Sequence, residues 1–197
     1  MTKTLYLMRH GQTLFNKRHR IQGWCDAPLT DLGVYQAQVA GQYFKNVGIT
    51  FDVAYSSTSE RACDTLEIVT NGSLPYQRVK GLKEWNFGTF EGESEDLNPP
   101  LPYEDFFVTY GGESQDQVRD RMAATILQLM QETKGKSVLM VSHGGAMANF
   151  ARAWEDNWQL DNLGHMTNCG ILKFSFEDDQ FYLEEAIGHD FSGWEEK

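Results

Sequence analysis

The chain has 197 residues, 41% of them hydrophobic and 23% charged, a balance that excludes a disordered chain or a fibre and suffices for a sizeable core. Against 17 Lys and Arg stand 28 Asp and Glu, so the formal net charge is −11. That excess argues against a general nucleic-acid binder, which needs a broad basic face, but leaves room for one small anion pocket.

The N-terminal apolar run, Leu5–Met8, stops at Arg9-His10. It is too short for the core of a signal peptide, which needs about 7–15 residues. No apolar stretch approaches the roughly 20 residues of a membrane span. The cysteines Cys25, Cys63 and Cys169 lie far apart and form no CxxC pair. They are expected to be small buried thiols in a reducing compartment. The reading is a cytoplasmic protein without a membrane or nucleic-acid partner. Its oligomeric state is open, with a homodimer as one option.

In chain order, Thr4–Met8 reads as a strand. Thr30–Asn46 reads as a helix with Thr30 as N-cap and Leu32, Tyr35, Val39 and Tyr43 near helical spacing. Phe51–Tyr55 is a short strand. Ser57-x-x-Glu60 is expected to be a capping box that opens a helix ending at Asn71-Gly72. Tyr76–Val79 is a strand. Ser114–Lys134 is a helix with the stripe Val118, Met122, Ile126 and Met130. Ser137–Ser142 holds the continuous apolar run of a central parallel strand. Gly144–Trp158 is expected to be helical. Ile171–Phe176 and Phe181–Ile187 form a hairpin about Asp178-Asp179. Alternating strands and helices predict an α/β fold, a three-layer α/β/α sandwich on a mostly parallel sheet. One domain over 1–197 is expected. Residues 85–112, rich in Pro and aromatics, break the rhythm and read as an insertion or lid beside the active site.

Four strands end in polar residues suited to an anion. Arg9-His10-Gly11 follows the first, Ser56-Ser57 with Arg61 the second, Glu84 the third, and Ser142-His143-Gly144 the fourth. In an open α/β sheet the carboxyl ends of the strands line one crevice. Arginines bind phosphate oxygens bidentately, and glycines allow close backbone approach with N–H donors. A neutral imidazole attacks phosphorus, and a carboxyl group protonates the departing oxygen. The arginines supply the charge a metal ion would otherwise supply.

Arg9-His10-Gly11-Gln12-Thr13-x-x-Asn16 and Gln22-Gly23-Trp24-x-Asp26 closely resemble the opening of the histidine phosphatase superfamily. Ser56-Ser57-x-x-x-Arg61-Ala62, Leu82-x-Glu84-x-x-Phe87-Gly88-x-Phe90-Glu91-Gly92 and Val141-Ser142-His143-Gly144-Gly145 resemble its later motifs, in its order. The resemblance implies His10 as the nucleophile that becomes phosphohistidine and Glu84 as the proton donor. It implies Arg9, Arg61 and His143 as a phosphate clamp, Asn16 as a supporting ligand, and Gln22 and Gly23 facing the substrate. Gly11 and Gly144 complete the expected phosphate site. Burial beside Trp85 and Phe87 is expected to favour the protonated form of Glu84.

The implied activity is hydrolysis of a small phosphorylated substrate, with no cofactor and no metal. A cofactor-dependent phosphoglycerate mutase is the alternative. Trp85-Asn86-Phe87-Gly88 stands where the mutase pattern has basic and aromatic residues, and that departure favours hydrolysis. A non-catalytic phospho-ligand or protein-binding module is the third reading.

Overall fold

Side-chain alternation along two apolar runs divides the core in two. The structure, a computed structural model, describes residues 2–164 and 166–195. The strands are β1 (Lys3–Arg9), β2 (Val53–Ser57), β3 (Tyr76–Val79), β4 (Ser137–Ser142), β5 (Ile171–Glu177) and β6 (Gln180–Ile187). The helices are α1 (Leu14–Lys17), α2 (Asp31–Asn46), α3 (Glu60–Thr70), α4 (Gln115–Glu132) and α5 (Gly144–Arg152). The six strands form one sheet in the order β3-β2-β4-β1-β5-β6. β1, β2, β3 and β4 run parallel, while β5 and β6 are antiparallel additions beside β1. β1 and β4 pair in register from Thr4 opposite Ser137 to Arg9 opposite Ser142.

Leu5 and Leu7 of β1, with Val138 and Met140 of β4, pack under α4 and α5. Tyr6 and Met8, with Leu139 and Val141, pack under α2 and α3. Both strands are covered on both faces, as their unbroken apolar runs require. Val118, Met122, Ile126 and Met130 of α4 are fully buried, so the predicted stripe faces the sheet. This is the α/β sandwich that the alternation of elements predicts.

Three local expectations are corrected. Ser57 is not a helix cap. β2 runs through Ser57, and α3 opens at Glu60 after Ser59, whose side chain makes no capping bond. The Glu60 N–H instead donates to Asp26 Oδ2 at 2.6 Å, a cap supplied from a distant loop. The helix expected over Gly144–Trp158 ends at Arg152. There the Trp158 indole N–H takes the Ala151 carbonyl at 2.9 Å, and a 3-10 turn at Glu155–Asn157 follows. The short helix α1 is an addition, closed by a reciprocal capping box between Thr13 and Asn16. Cys63 and Cys169 are buried free thiols, whereas Cys25 is only half-buried.

Residues 85–112 contain 3-10 turns at Gly88–Phe90, Glu95–Leu97 and Phe106–Tyr110. Their aromatic rings gather around the fully buried Phe107, with Phe87, Phe106 and Tyr103 at centroid distances of 4.8, 5.1 and 5.3 Å.

The loop after β1 lies directly on α2. A Cβ added at Gly33 would fall 2.0 Å from the Gln12 carbonyl oxygen, a backbone atom that cannot swing away. Gly33→Ala is therefore expected to cost about 1–3 kcal/mol, read as a lowered denaturation midpoint. An unchanged midpoint would show that the Gln12 loop moves freely.

Candidate active site

β1 and β4 are adjacent and parallel, but the chain leaves them toward opposite faces. After β1 it reaches α2 on one face, and after β4 it enters α5 on the other. Between such strands the carboxyl ends open into a crevice. His10 follows β1, and His143 follows β4. Their rings lie 5.2 Å apart at an interplanar angle of 63°, and both side chains are buried.

Each ring nitrogen has an identifiable role. His10 Nδ1 is 2.7 Å from the Gly11 carbonyl oxygen, which can only accept, so Nδ1 carries the proton and Nε2 keeps its lone pair. Burial, then the charges of Arg61 and Arg9, hold the His10 pKa well below 6.5. Burial and Arg61 do the same to His143. Both imidazoles are neutral at pH 7. His143 Nε2 lies 2.8 Å from Ser57 Oγ, and that oxygen accepts from the Ser59 N–H at 3.3 Å. Where the Ser57 proton points to Nε2 rather than to Ser59 Oγ at 3.5 Å, the His143 proton sits on Nδ1. This role for Ser57 replaces the capping role expected of it.

The two arginines differ. Arg9 lines the cavity and donates to the Met166 carbonyl at 2.5 Å. Arg61 is fully buried and does not line it. Its Nη2 donates to the Gly23 carbonyl at 2.8 Å, and its Nη1 donates to the Cys25 carbonyl at 2.9 Å and to Asp26 at 2.8 Å. Eight buried side-chain polar atoms lack a protein partner among the described residues, and four belong to predicted site residues: Arg9 Nε, Gln22 Nε2, Arg61 Nε and His143 Nδ1; a fifth, the acceptor Asn98 Oδ1, belongs to a residue that lines the cavity, whereas His143 does not line it. All four are N–H donors in the assigned states. Buried donors of this kind suit an anion with several oxygens.

His10, Arg9, Asn16, Gln22, Glu84 and Gly144 share one cavity of about 650 Å³. Gln22 accepts from the Thr13 hydroxyl at 2.6 Å, which leaves its amide nitrogen for the cavity. Two glycines depart from expectation. The Gly11 N–H is committed to Thr65 Oγ1 at 3.0 Å, and the residue does not line the cavity. Gly23 lies outside the cavity lining too. A Cβ there would meet the Trp85 carbonyl oxygen at 2.0 Å, so glycine serves a close backbone crossing. His19 is exposed beside Glu95, His189 packs on Tyr43, and His165 lies outside the described residues.

Glu84 is 7% exposed, with Trp85 and Phe87 beside it in the cavity wall. The apolar surroundings match expectation, but the polar ones do not. Oε1 accepts from the N–H groups of Trp85 and Ala146 at 2.8 and 2.7 Å, and Oε2 accepts from Gly145 at 2.9 Å. Two of these donors, Gly145 and Ala146, are N–H groups of the first turn of α5, whose own N-cap His143 makes no side-chain cap. Glu84 therefore caps α5 from another strand end. Donors of this kind suit a carboxylate.

Sequence reasoning missed a second set of acids. Glu91 accepts from the N–H groups of Gly23, Trp24, Cys25 and Phe87 at 2.7–3.1 Å. It thereby shapes the loop whose carbonyls hold Arg61. Asp26 both pairs with Arg61 and caps α3. Among the described residues no group of three His, Cys, Asp or Glu side chains is placed to hold a metal ion. Among the described residues no helix is long and apolar enough to cross a membrane.

Residues 5–187 match the family model of the histidine phosphatase superfamily (branch 1), and the chain belongs to that superfamily. It is 31% identical to a 2,3-bisphosphoglycerate-dependent phosphoglycerate mutase of Allorhizobium ampelinum, over 98% of this chain and 99% of that protein. Its structure is similar to a phosphoglycerate mutase from Bacillus anthracis, with a TM-score of 0.81 and 29% identity over 93% of this chain and 92% of the other. It is also similar to a phosphoserine phosphatase from Entamoeba histolytica in complex with 3-phosphoglyceric acid. That match has a TM-score of 0.74 and 29% identity over 94% and 97% of the two chains.

The buried histidines make stability depend on pH. Their folded pKa values lie below 6.5, so under acid the unfolded chain binds protons that the folded one refuses. Their effect is absent above pH 6.5 and destabilises as pH falls below it, by up to about 1.4 kcal/mol per pH unit for each histidine. His143→Asn should flatten the decline in melting temperature between pH 7 and 5. Parallel declines in variant and parent would show that His143 takes up its proton freely.

Proposed function

We propose that this protein is a metal-independent phosphatase that hydrolyses phosphomonoesters through a phosphohistidine on His10. The observation that carries the reading is the His10 ring: neutral, tied through Nδ1 to Gly11, with Nε2 free in a cavity shared with Arg9 and Glu84. Nε2 attacks phosphorus, and the bond to the ester oxygen breaks. The departing oxygen takes the proton of Glu84. In the second step the Glu84 carboxylate takes a proton from water, whose oxygen attacks phosphorus. The P–N bond breaks, its electrons return to Nε2, and phosphate leaves. Arg9, Arg61 and the His143 Nδ1–H stabilise the charge on the equatorial oxygens.

Hydrolysis rather than transfer to a second substrate is supported by the cavity wall. From Glu84 through Val118 the chain has no Lys or Arg. A mutase must retain a bisphosphate, and this wall offers no cation for it. One observation favours the mutase reading. Arg20 and Arg152 line the same cavity, and among the described residues neither has a carboxylate partner. A panel of phosphomonoesters with and without EDTA tests the first reading. Conversion of 3- to 2-phosphoglycerate primed with 2,3-bisphosphoglycerate tests the second. A phospho-ligand-binding module would show neither activity.

Rapid-quench mass spectrometry should trap acid-labile phosphate on His10, and His10→Ala should abolish turnover. Phosphate found on another residue would overturn the mechanism. Glu84→Gln should slow the pre-steady-state burst with an alkyl phosphate by about 10²–10⁴, because an alkoxide leaves only with a proton. The burst with p-nitrophenyl phosphate should change little. Equal losses for both substrates would remove the acid role from Glu84.

A further inference from the structure

Glu84 follows a stretch with little regular structure, where the Ser142 hydroxyl donates to the Leu82 carbonyl at 2.8 Å and the Trp24 indole to the Glu84 carbonyl at 2.9 Å. β3 ends at Val79, and one 3-10 turn at Lys80–Leu82 is all the regular structure before it. Its side chain reaches forward to the α5 N-terminus. Its backbone is held from behind by Arg121, a residue of α4. Arg121 Nη1 donates to the carbonyls of Gly81 and Lys83 at 2.9 and 2.8 Å, and Nη2 donates to the Glu84 carbonyl at 3.1 Å. One guanidinium thus gathers three carbonyls of the run that ends in the carboxyl group.

Glu113 closes the other side. Its Oε1 and Oε2 accept from Arg121 Nε and Nη2, each at 2.8 Å. Oε2 also accepts from the Asn86 N–H at 2.9 Å. The Glu113 carbonyl accepts from the Trp85 indole at 2.6 Å, and its N–H donates to the Asn86 carbonyl at 2.8 Å. Residues on both sides of Glu84 are therefore tied to one ion pair. The pair is mostly buried, with Arg121 and Glu113 side chains 20% and 17% exposed. Neither residue lines the cavity, so neither touches substrate there. Among the described residues neither bonds to the loop after β1 that carries His10.

We propose that the Arg121–Glu113 pair positions Glu84 for proton delivery and leaves the attack of His10 alone. The proposal rests on the phosphatase reading above. Attack depends on the loop after β1. Protonation depends on where the 81–86 run places one carboxyl oxygen, and proton transfer falls steeply with small displacements. A bidentate arginine fixes that run in two directions at once, which an ammonium on a flexible stem does not.

The test compares pre-steady-state bursts with β-glycerophosphate and with p-nitrophenyl phosphate. Arg121→Met should slow the β-glycerophosphate burst by about 10–100-fold and leave the p-nitrophenyl phosphate burst unchanged. Glu113→Gln, which keeps the backbone bonds and removes the charge, should act in the same direction by less. Where Arg121→Met does not fold by circular dichroism, Glu113→Gln carries the comparison. The double variant Glu84→Gln, Arg121→Met should be no slower on β-glycerophosphate than Glu84→Gln alone, because the arginine acts through that carboxyl group. Equal slowing of both bursts, or losses that multiply in the double variant, would overturn the proposal. A Glu84→Gln variant that slows both bursts equally would instead overturn the donor role itself, and the proposal with it.

Discussion

A single buried guanidinium, that of Arg61, organises this site. Its charge is fully removed from solvent. Burying a cation costs several kcal/mol unless it is paired and hydrogen-bonded, so the surroundings must be built around it. Asp26 supplies the charge, and the carbonyls of Gly23 and Cys25 supply the remaining bonds. That requirement fixes the loop at 23–26, and Glu91 fixes the same loop through three N–H groups. The cation in turn helps keep both imidazoles neutral. The two buried histidines, Arg61 and the loop at 23–26 therefore share one electrostatic origin.

The sheet and the convergence of residues at its rim were legible because both follow local rules. β1 and β4 announce themselves as unbroken apolar runs, and the residue after each is a histidine. The α4 stripe reads directly as a buried face. The supporting acids were not legible. Glu91 acts on residues 66–68 positions away through backbone N–H groups, and Arg121 on carbonyls 37–40 positions away. Such bonds leave no periodicity. The Ser57 reading failed for a related reason. Ser-x-x-Glu is a cap only where the serine stands at a helix start, and here the strand extends through it and gives its hydroxyl to His143. Gly11 failed similarly, since an N–H bond to Thr65 spans 54 positions.

Charge is distributed against the composition. The chain is strongly acidic, yet three arginines, Arg9, Arg20 and Arg152, line the cavity. The acidic excess lies in part on the wall, where Glu95 faces the same space. Trp85, Phe87 and Tyr103 give the same cavity an apolar surface beside these arginines.

The N-terminus of α5 has a consequence for how long a product stays. A helix start usually greets an anion with its free N–H groups. Here the Gly145 and Ala146 donors already serve Glu84. Under the hydrolysis proposed above, an inorganic phosphate left behind is thus denied two of the contacts such a helix offers. On that reading the carboxyl group that delivers the proton also occupies the donors that would hold the product, a geometry that gives up product affinity and gains release.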